Sequence, residues 1–286
     1  AQGRVTGTGA RGPVLVRNAG GAVTLHGIRG DVDVRNADGP VGVEDVRGAV
    51  VVANRLGDVE VAGVHGRATV ETSRAAILLR DVTGSVRLRG RHGRIEALRV
   101  GGSLEVRSSN GDVRVAEVTG SVFLGTSFGL VQAERVGPLT VDSANAAVRA
   151  TSVKGDVAIR TSSGAVVLSG VEGQVDAQNE SGAIEVSGIA GKGPTGCRRI
   201  TLATSFAPIQ ITLPAAFGFD VNARTTLGKV RSGLPLAAGR TPDSFVGPMN
   251  GGGCDVTLAN RSGDIVILAG EAPGRSATAG PARPVP

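Results

Sequence analysis

The residues that could carry chemistry in this 286-residue chain are its carboxylates, three histidines and two cysteines. A polysaccharide-cleaving enzyme needs two carboxylates at a defined separation. Its sugar subsites usually stack on Trp or Tyr, and the sequence has neither. Asp31 and Asp33 share one face of a predicted strand, but the next repeat has Ala49 and Val51 at the matching positions. The sequence therefore disfavours a carbohydrate-active enzyme, which we keep as the third interpretation.

The three histidines, His26, His65 and His92, hold different positions in different repeats of the sequence. In a stacked fold they would point in different directions and lie several repeats apart. We therefore expect neither a shared metal ion nor a His-centred catalytic triad. The sequence predicts surface histidines, no catalytic residue, no metal site and no cofactor.

The two cysteines, Cys197 and Cys254, each stand directly before a predicted strand. Two cysteines cannot complete a tetrahedral zinc site unaided. Equivalent positions in neighbouring repeats would bring them within bridging distance, so we favour a disulfide over two buried thiols. A disulfide implies an oxidising, extracytoplasmic location, and a start at Ala1 rather than Met is consistent with a removed leader.

An internal repeat of 18 residues must position all of these side chains. Starting from Asn18, the period reaches Asn36, Asn54 and Thr72, and it loses one residue near Pro138. Gly recurs at the fourth and thirteenth positions of the unit, and aliphatic residues recur at the sixth, eighth, eleventh, fifteenth and seventeenth. The alternation indicates two short strands with one buried face, and the unit is too short for a β-α-β element.

We therefore predict an all-β fold, a parallel β-solenoid in the form of a right-handed β-helix with coils of about 18 residues. Stacked coils would lie about 4.8 Å apart and share one aliphatic core, with Asn, Ser and Thr lining one corner. The glycines are expected where the chain turns with unusual dihedral angles. Calcium-binding rolls are disfavoured, because Asp follows Gly only at scattered places such as Asp58 and Asp112.

Composition divides the chain into three parts. Regular coils are predicted for residues 1–191, and divergent coils of the same solenoid for residues 192–270, where Pro and Phe become frequent. Within the second part, residues 234–253 are predicted to form a loop, and residues 271–286 are expected to be disordered. Since no apolar run approaches about 20 residues, we predict no transmembrane segment.

The charges do not form a block in the sequence. The 31 basic residues, nearly all arginine, are interleaved with 25 acidic residues for a net charge of +6, and aromatic residues make up 2%. Nucleic-acid binders usually cluster their bases on one face and interleave aromatic side chains, so we predict a mixed-charge surface and no nucleic-acid partner. Arg87 and Glu105 should be neighbours on adjacent coils.

The Gly-Asp units Gly57–Val61, Gly111–Val115 and Gly155–Ile159, with the closing stretch Ile200–Leu268, resemble the adhesin family of bacterial β-solenoid domains. The resemblance covers nearly the whole chain and implies the same fold, but the family brings no catalytic residues to transfer. Bactofilins, which polymerise as β-solenoid cytoskeletal filaments, are a more distant likeness.

We interpret the chain as a non-enzymatic, extracytoplasmic β-solenoid of a bacterial cell surface, acting as a scaffold, filament subunit or adhesion module. The coil pattern begins at Gly12–Val16 without a preceding helix. Unpaired strand edges there would favour self-association through the solenoid ends, and a cell-surface or other protein partner is also expected. An intracellular bactofilin-like polymer is the second interpretation.

Overall fold

The computed structural model describes residues 3–189, 192–193, 196–234 and 241–270. The described residues form strands and turns and contain no helix, so the all-β prediction is confirmed. They also contain no segment with the helical length and apolar character needed to cross a membrane.

Most strands belong to two stacks, which we call face A and face B. Face A contains β1 (Val5–Thr8), β3 (Val23–Ile28), β5 (Val41–Val46), β7 (Val59–Val64), β9 (Ile77–Val82), β11 (Ile95–Val100), β13 (Val113–Val118), β17 (Val166–Val171) and β19 (Ile184–Ser187). Face B contains β2 (Val14–Asn18), β4 (Val32–Asp38), β6 (Val50–Leu56), β8 (Ala68–Arg74), β10 (Val86–His92), β12 (Leu104–Asn110), β16 (Val157–Thr161) and β18 (Val175–Asn179).

The remaining strands pass between the faces or close the chain. The two strands that continue through a corner from face B to face A are β14 (Val122–Val136) and β15 (Leu139–Val153). The C-terminal strands are β20 (Lys192–Gly193), β21 (Gly196–Cys197), β22 (Ile200–Thr204), β23 (Ile209–Pro214), β24 (Phe219–Thr225), β25 (Val230–Ser232), β26 (Ser244–Met249), β27 (Cys254–Asn260) and β28 (Ile265–Gly270).

The predicted period sets the register of the sheets. Val59 of β7 pairs in parallel with Ile77 of β9, 18 residues later, and the same step recurs through both faces. At the predicted shortening the step is one residue less, since Val122 pairs with Leu139. The structure is therefore a parallel β-solenoid, as the repeat predicted.

One aliphatic core runs through the coils. Because alternate side chains of a strand point to opposite faces, the recurring Val, Leu and Ile positions all turn inward. Val59, Val113 and Val166 are each exposed by 1% or less. The buried cluster continues without interruption from Val16 to Ile267. β-Branched residues suit this half-buried, pleated surface.

The first position of the repeat, which is polar and buried in every regular coil except the one with Gly90, lies at the corner where face B turns towards face A. Asn36 shows its role there, because its side-chain amide donates to the carbonyl oxygens of Gly21, Asp38 and Gly39 at 3.0–3.3 Å. These acceptors belong to the same turn and to the turn one coil earlier. The predicted polar ladder thus holds the turns together through backbone carbonyls.

The two recurring glycines of the repeat have different roles. At the fourth position Gly57 has a φ of 97°, in the region that favours glycine, as predicted. At the thirteenth position the prediction of unusual dihedral angles holds for Gly155, with a φ of 145°, but not for most coils, since glycines such as Gly66 are not among those with positive φ. A Cβ on Gly66 would instead overlap the carbonyl of Gly48 in the preceding coil. This second glycine therefore permits close stacking of backbones.

A third corner, at the tenth position, adopts a left-handed conformation that the sequence analysis did not predict. Glycine fills it in several coils, but Asp81, Arg99, Glu117 and Arg135 also have φ between 52° and 59°. Non-glycine residues in this region carry a backbone strain of about 1–3 kcal/mol. Their side chains project from the outside of the corner.

The C-terminal coils stack in an order that differs from chain order. Strand β27 lies between β22 and β24, and β28 lies between β23 and β25. The last strands of the described chain therefore insert between two earlier coils. These strands do belong to the same solenoid, but the aliphatic pattern alone could not order them, because each coil presents equivalent inward positions.

An antiparallel strand covers the last coil. Strand β26 lies within the segment 234–253 that the sequence analysis took for a loop, and it pairs with β24. Its Met249 pairs with Phe219 and its Phe245 with Ala223, and both side chains are fully buried and close the end of the core. Residues 235–240 of that segment lie outside the described residues, as does the predicted tail 271–286.

Candidate functional site

Candidate sites in this fold lie between coils, since the winding gathers residues 18 apart into columns. The carboxylates that follow glycine illustrate this arrangement. Oδ1 of Asp58 accepts the backbone N–H of Ala76 at 2.9 Å, and Oδ1 of Asp112 accepts that of Leu130 at 2.9 Å. These carboxylates satisfy backbone donors of the next coil. Among the residues that the structure describes, no group of three His, Cys, Asp or Glu is placed to hold a metal ion.

Glu105 lies at the centre of an ion-pair network on face B. Arg87 donates from Nε to Oε2 of Glu105 at 2.9 Å, which confirms the predicted neighbours. Arg107 donates from Nε to Oε1 at 2.9 Å, and its guanidinium lies 5.3 Å from the ring centroid of Phe123. Hydrogen bonds from Arg107 and then Arg87 hold the pKa of Glu105 below its ordinary value. Such a carboxylate is a poor general base.

The Glu105 network borders a shallow groove of about 630 Å³. Hydroxyl groups form one wall, and Oγ of Ser121 donates to Oγ of Ser103 one coil earlier at 3.1 Å. Since Glu105 already accepts from two arginines, the groove offers hydroxyl groups and few unpaired charges. The arrangement can hydrogen-bond a ligand, and it does not assemble a nucleophile with a base.

A second groove follows the polar corner at the edge of face B. One depression of about 710 Å³ is bordered by Arg17, Arg35, Arg55 and Glu71. A depression of about 370 Å³ continues from it, because both share Arg55 and Ser73. The second depression is lined by Arg55, Leu56, Ser73, Arg74, Arg91 and His92. We call the two depressions together the arginine groove.

The structure places the three predicted surface histidines apart from one another, with all three side chains exposed. Nδ1 of His26 lies 3.6 Å from Oε2 of Glu44, and His92 lines the arginine groove. His65 lies in neither of the two grooves. No histidine therefore stands beside another, in agreement with their different positions in the repeat.

The two cysteines are joined in the structure. Cys197 and Cys254 form a disulfide with a Cα–Cα distance of 4.9 Å across 57 residues. Cys197 lies at the exposed end of β21, whereas Cys254 is buried at the start of the inserted strand β27. The disulfide therefore links the start of the C-terminal coils to β27, the strand that inserts between two of these coils.

The comparison with known families agrees with this architecture. A family model described as Toastrack DUF4097 matches residues 13–268. The chain belongs to this family. No curated protein and no solved structure matches the Toastrack chain.

The arginine groove of the Toastrack chain was missed by the sequence analysis. The basic residues form no block along the sequence, and Arg55, Arg74 and Arg91 are separated by stretches of mixed charge and apolar residues. Arg55 and Arg91 occupy the second position of the repeat and Arg74 the third, in three successive coils. Placing the sequence on the 18-residue repeat and adding the charges of two adjacent columns together could have found them.

Proposed function

We propose that this Toastrack chain is a non-enzymatic scaffold at a bacterial cell surface, which holds ligand-binding surfaces on a stiff, disulfide-linked solenoid. The observation that carries the proposal is the single core from Val16 to Ile267. A continuous core leaves no hinge between domains, so outward side chains keep fixed spacings of about 4.8 Å from coil to coil.

Two further features support this role. Among the described residues that line the groove beside Ser103 and Ser121, Glu105 is the one carboxylate, and its hydrogen bonds from two arginines make it unsuited to proton transfer. The disulfide between Cys197 and Cys254 favours an oxidising compartment outside the cytoplasm. A surface location and a structural role account for both features.

Antibody labelling of the producing bacterium tests the location. A surface scaffold is expected to be labelled equally on intact and on permeabilised cells, with a cytoplasmic protein as the negative control. Labelling only after permeabilisation would instead support the intracellular bactofilin-like polymer. In parallel, the purified chain should release no reducing ends from neutral or acidic polysaccharides, and measurable release would contradict a non-enzymatic role.

Pairing of two copies through their first coils is a second candidate role, supported by the edges of the solenoid. Within the described residues, β1 and β2 pair with other strands on one side only. The opposite end is covered by β26, and Pro248 in this strand cannot donate a ladder hydrogen bond. This asymmetry favours dimers over end-to-end filaments.

Sedimentation velocity over a range of concentrations tests the pairing. Dimers without longer species would support pairing through the first coils. Monomers at every concentration would contradict any self-association, and a ladder of larger species would support filaments.

A further inference from the structure

We propose that the arginine groove binds a linear acidic polysaccharide that lies along the solenoid axis. The inference goes beyond the scaffold role and can be tested on the purified chain, so it does not depend on where the protein is located. It rests on the placement, pairing and spacing of the arginines in the groove.

The placement concentrates positive charge in one depression. Arg55, Arg74 and Arg91 surround the same space of about 370 Å³, and no carboxylate lines it. All three side chains are exposed. Like charges held this close repel one another, and a bound anion would remove that repulsion.

These arginines are not ion-paired to any described residue, unlike several arginines elsewhere on the solenoid. Arg80, Arg99 and Arg135 each lie within 2.9 Å of a carboxylate one coil away. Within the described part of the chain, no ion pair involves Arg55, Arg74 or Arg91. Their guanidinium groups are therefore available to a ligand, and a guanidinium binds a carboxylate or sulfate through two parallel hydrogen bonds.

The spacing favours a chain-like ligand over a single small anion. Ser73 lies in the coil between Arg55 and Arg91, so these two arginines are about 10 Å apart along the axis, with Arg74 in the coil between them. Arg35 and Arg17 border the adjoining depression one and two coils further on, and Nε of Arg35 lies 3.7 Å from Oδ1 of Asp33. The groove thus offers about one arginine per coil over five coils, a length of roughly 20 Å.

The lining between the arginines favours a sugar chain over other polyanions. Ala19, Ala37 and Ala53 line the wider depression, and they suit the carbon faces of sugar rings. Among the described residues that line the two depressions there is no Phe, Tyr or Trp side chain on which bases or sugar rings could stack, so the arginines and these small apolar side chains would supply the contacts. Glu71 is the one carboxylate in the lining, so its removal should strengthen the binding of an anion.

Fluorescence anisotropy with labelled polygalacturonate, a linear polymer of uronic acid, tests the proposal. The chain with R55Q, R74Q and R91Q is expected to bind about tenfold or more weakly than the natural chain at low salt. Glu71→Gln should bind more tightly. The matched control carries R29Q, R47Q and R149Q, which remove the same charge from exposed positions outside both grooves described above, and it should change affinity by about twofold or less.

Each other outcome would overturn the proposal. Equal losses in the two triple variants would show that only net charge matters. Tighter binding of poly(dT) than of polygalacturonate would assign the groove to nucleic acids, and tighter binding of inorganic polyphosphate would assign it to phosphate chains. No binding of polygalacturonate at low salt would remove the proposed site. Circular dichroism of all variants establishes that they are folded.

Discussion

Arg99 donates two hydrogen bonds to Asp81, the residue 18 positions earlier, from Nε to Oδ1 at 2.6 Å and from Nη2 to Oδ2 at 2.9 Å. Both residues occupy the left-handed corner at the tenth position of the repeat, with φ of 53° and 59°. The strained corner therefore also carries a bidentate ion pair that joins neighbouring coils. These hydrogen bonds lower the pKa of Asp81 and raise the pKa of Arg99.

The stability of the solenoid should fall in acid partly because of Asp81 and Glu105. The pKa of each is lower in the folded chain than in the unfolded chain, so the unfolded chain binds more protons as the pH falls through this range. The stabilisation is fully present above about pH 5 and is lost as the pH falls below about 4. The variant with D81N and E105Q should therefore lose less stability between pH 5 and pH 3 than the natural chain.

Urea unfolding at several pH values measures this difference. Asn is a suitable replacement for Asp81 because it tolerates the left-handed conformation. An identical decline in stability for the variant and the natural chain would contradict a contribution from these two ion pairs.

Substitutions of Ser152, an uncharged residue of the left-handed corner with a φ of 57°, should change stability according to how well each residue type tolerates this conformation. Ser152→Gly should stabilise the chain by up to about 1 kcal/mol, because glycine adopts this conformation without strain. Ser152→Val should destabilise it by about 1–2 kcal/mol, because a β-branched side chain is strongly disfavoured there. Denaturant midpoints measure both effects, and a Val variant as stable as the Gly variant would contradict the corner geometry.

Close stacking of coils should make Gly66 intolerant of a side chain. Gly66→Ala should destabilise the chain by about 1–3 kcal/mol, because the new methyl group would overlap the backbone of Gly48. Gly42→Ala is the matched control, since nothing lies within 4 Å of its added Cβ. Thermal melting compares the two variants, and equal melting temperatures would show that the coils stack less closely than described.

The disulfide should stabilise mainly the C-terminal coils. Replacing Cys197 and Cys254 by Ser opens a loop of 57 residues and should cost about 4 kcal/mol in the chain-entropy model. Hydrogen exchange should quicken most in β26 to β28, whereas β3 to β13 should keep their protection. A reductant should reproduce the change in the natural chain and have no effect on the double variant. A uniform change in exchange along the solenoid would argue against a local role.

The sequence predicted the regular coils well because the residue pattern within one repeat determines their structure. Alternating aliphatic residues fix which side faces inward, and an 18-residue step then fixes the register, as the pairing of Val86 with Leu104 illustrates. Placing Arg87 opposite Glu105 followed from the same register. The buried face of each strand, the length of the repeat and the residue opposite in the neighbouring coil can all be read from a single repeat.

The features that were missed depend on the order of coils or on more than one column. The insertion of β27 cannot be deduced from inward residues that every coil shares. The reversed order is visible in the hydrogen bond from the N–H of Lys229 to Oδ1 of Asp264. In the regular coils the carboxylate comes earlier in the chain than the N–H that it accepts, whereas Asp264 comes later than Lys229. The arginine groove draws Arg55 and Arg74 from different positions of the repeat, so no single column reveals it.

The most direct test of the winding compares Leu88→Ala with Leu227→Ala by urea unfolding. Leu88 is fully buried in the core, whereas the side chain of Leu227 is 78% exposed. The Leu88 variant is predicted to lose about 2–5 kcal/mol and the Leu227 variant less than about 0.5 kcal/mol. Similar small losses in both variants would contradict a solenoid whose stability comes from one inward-facing aliphatic core.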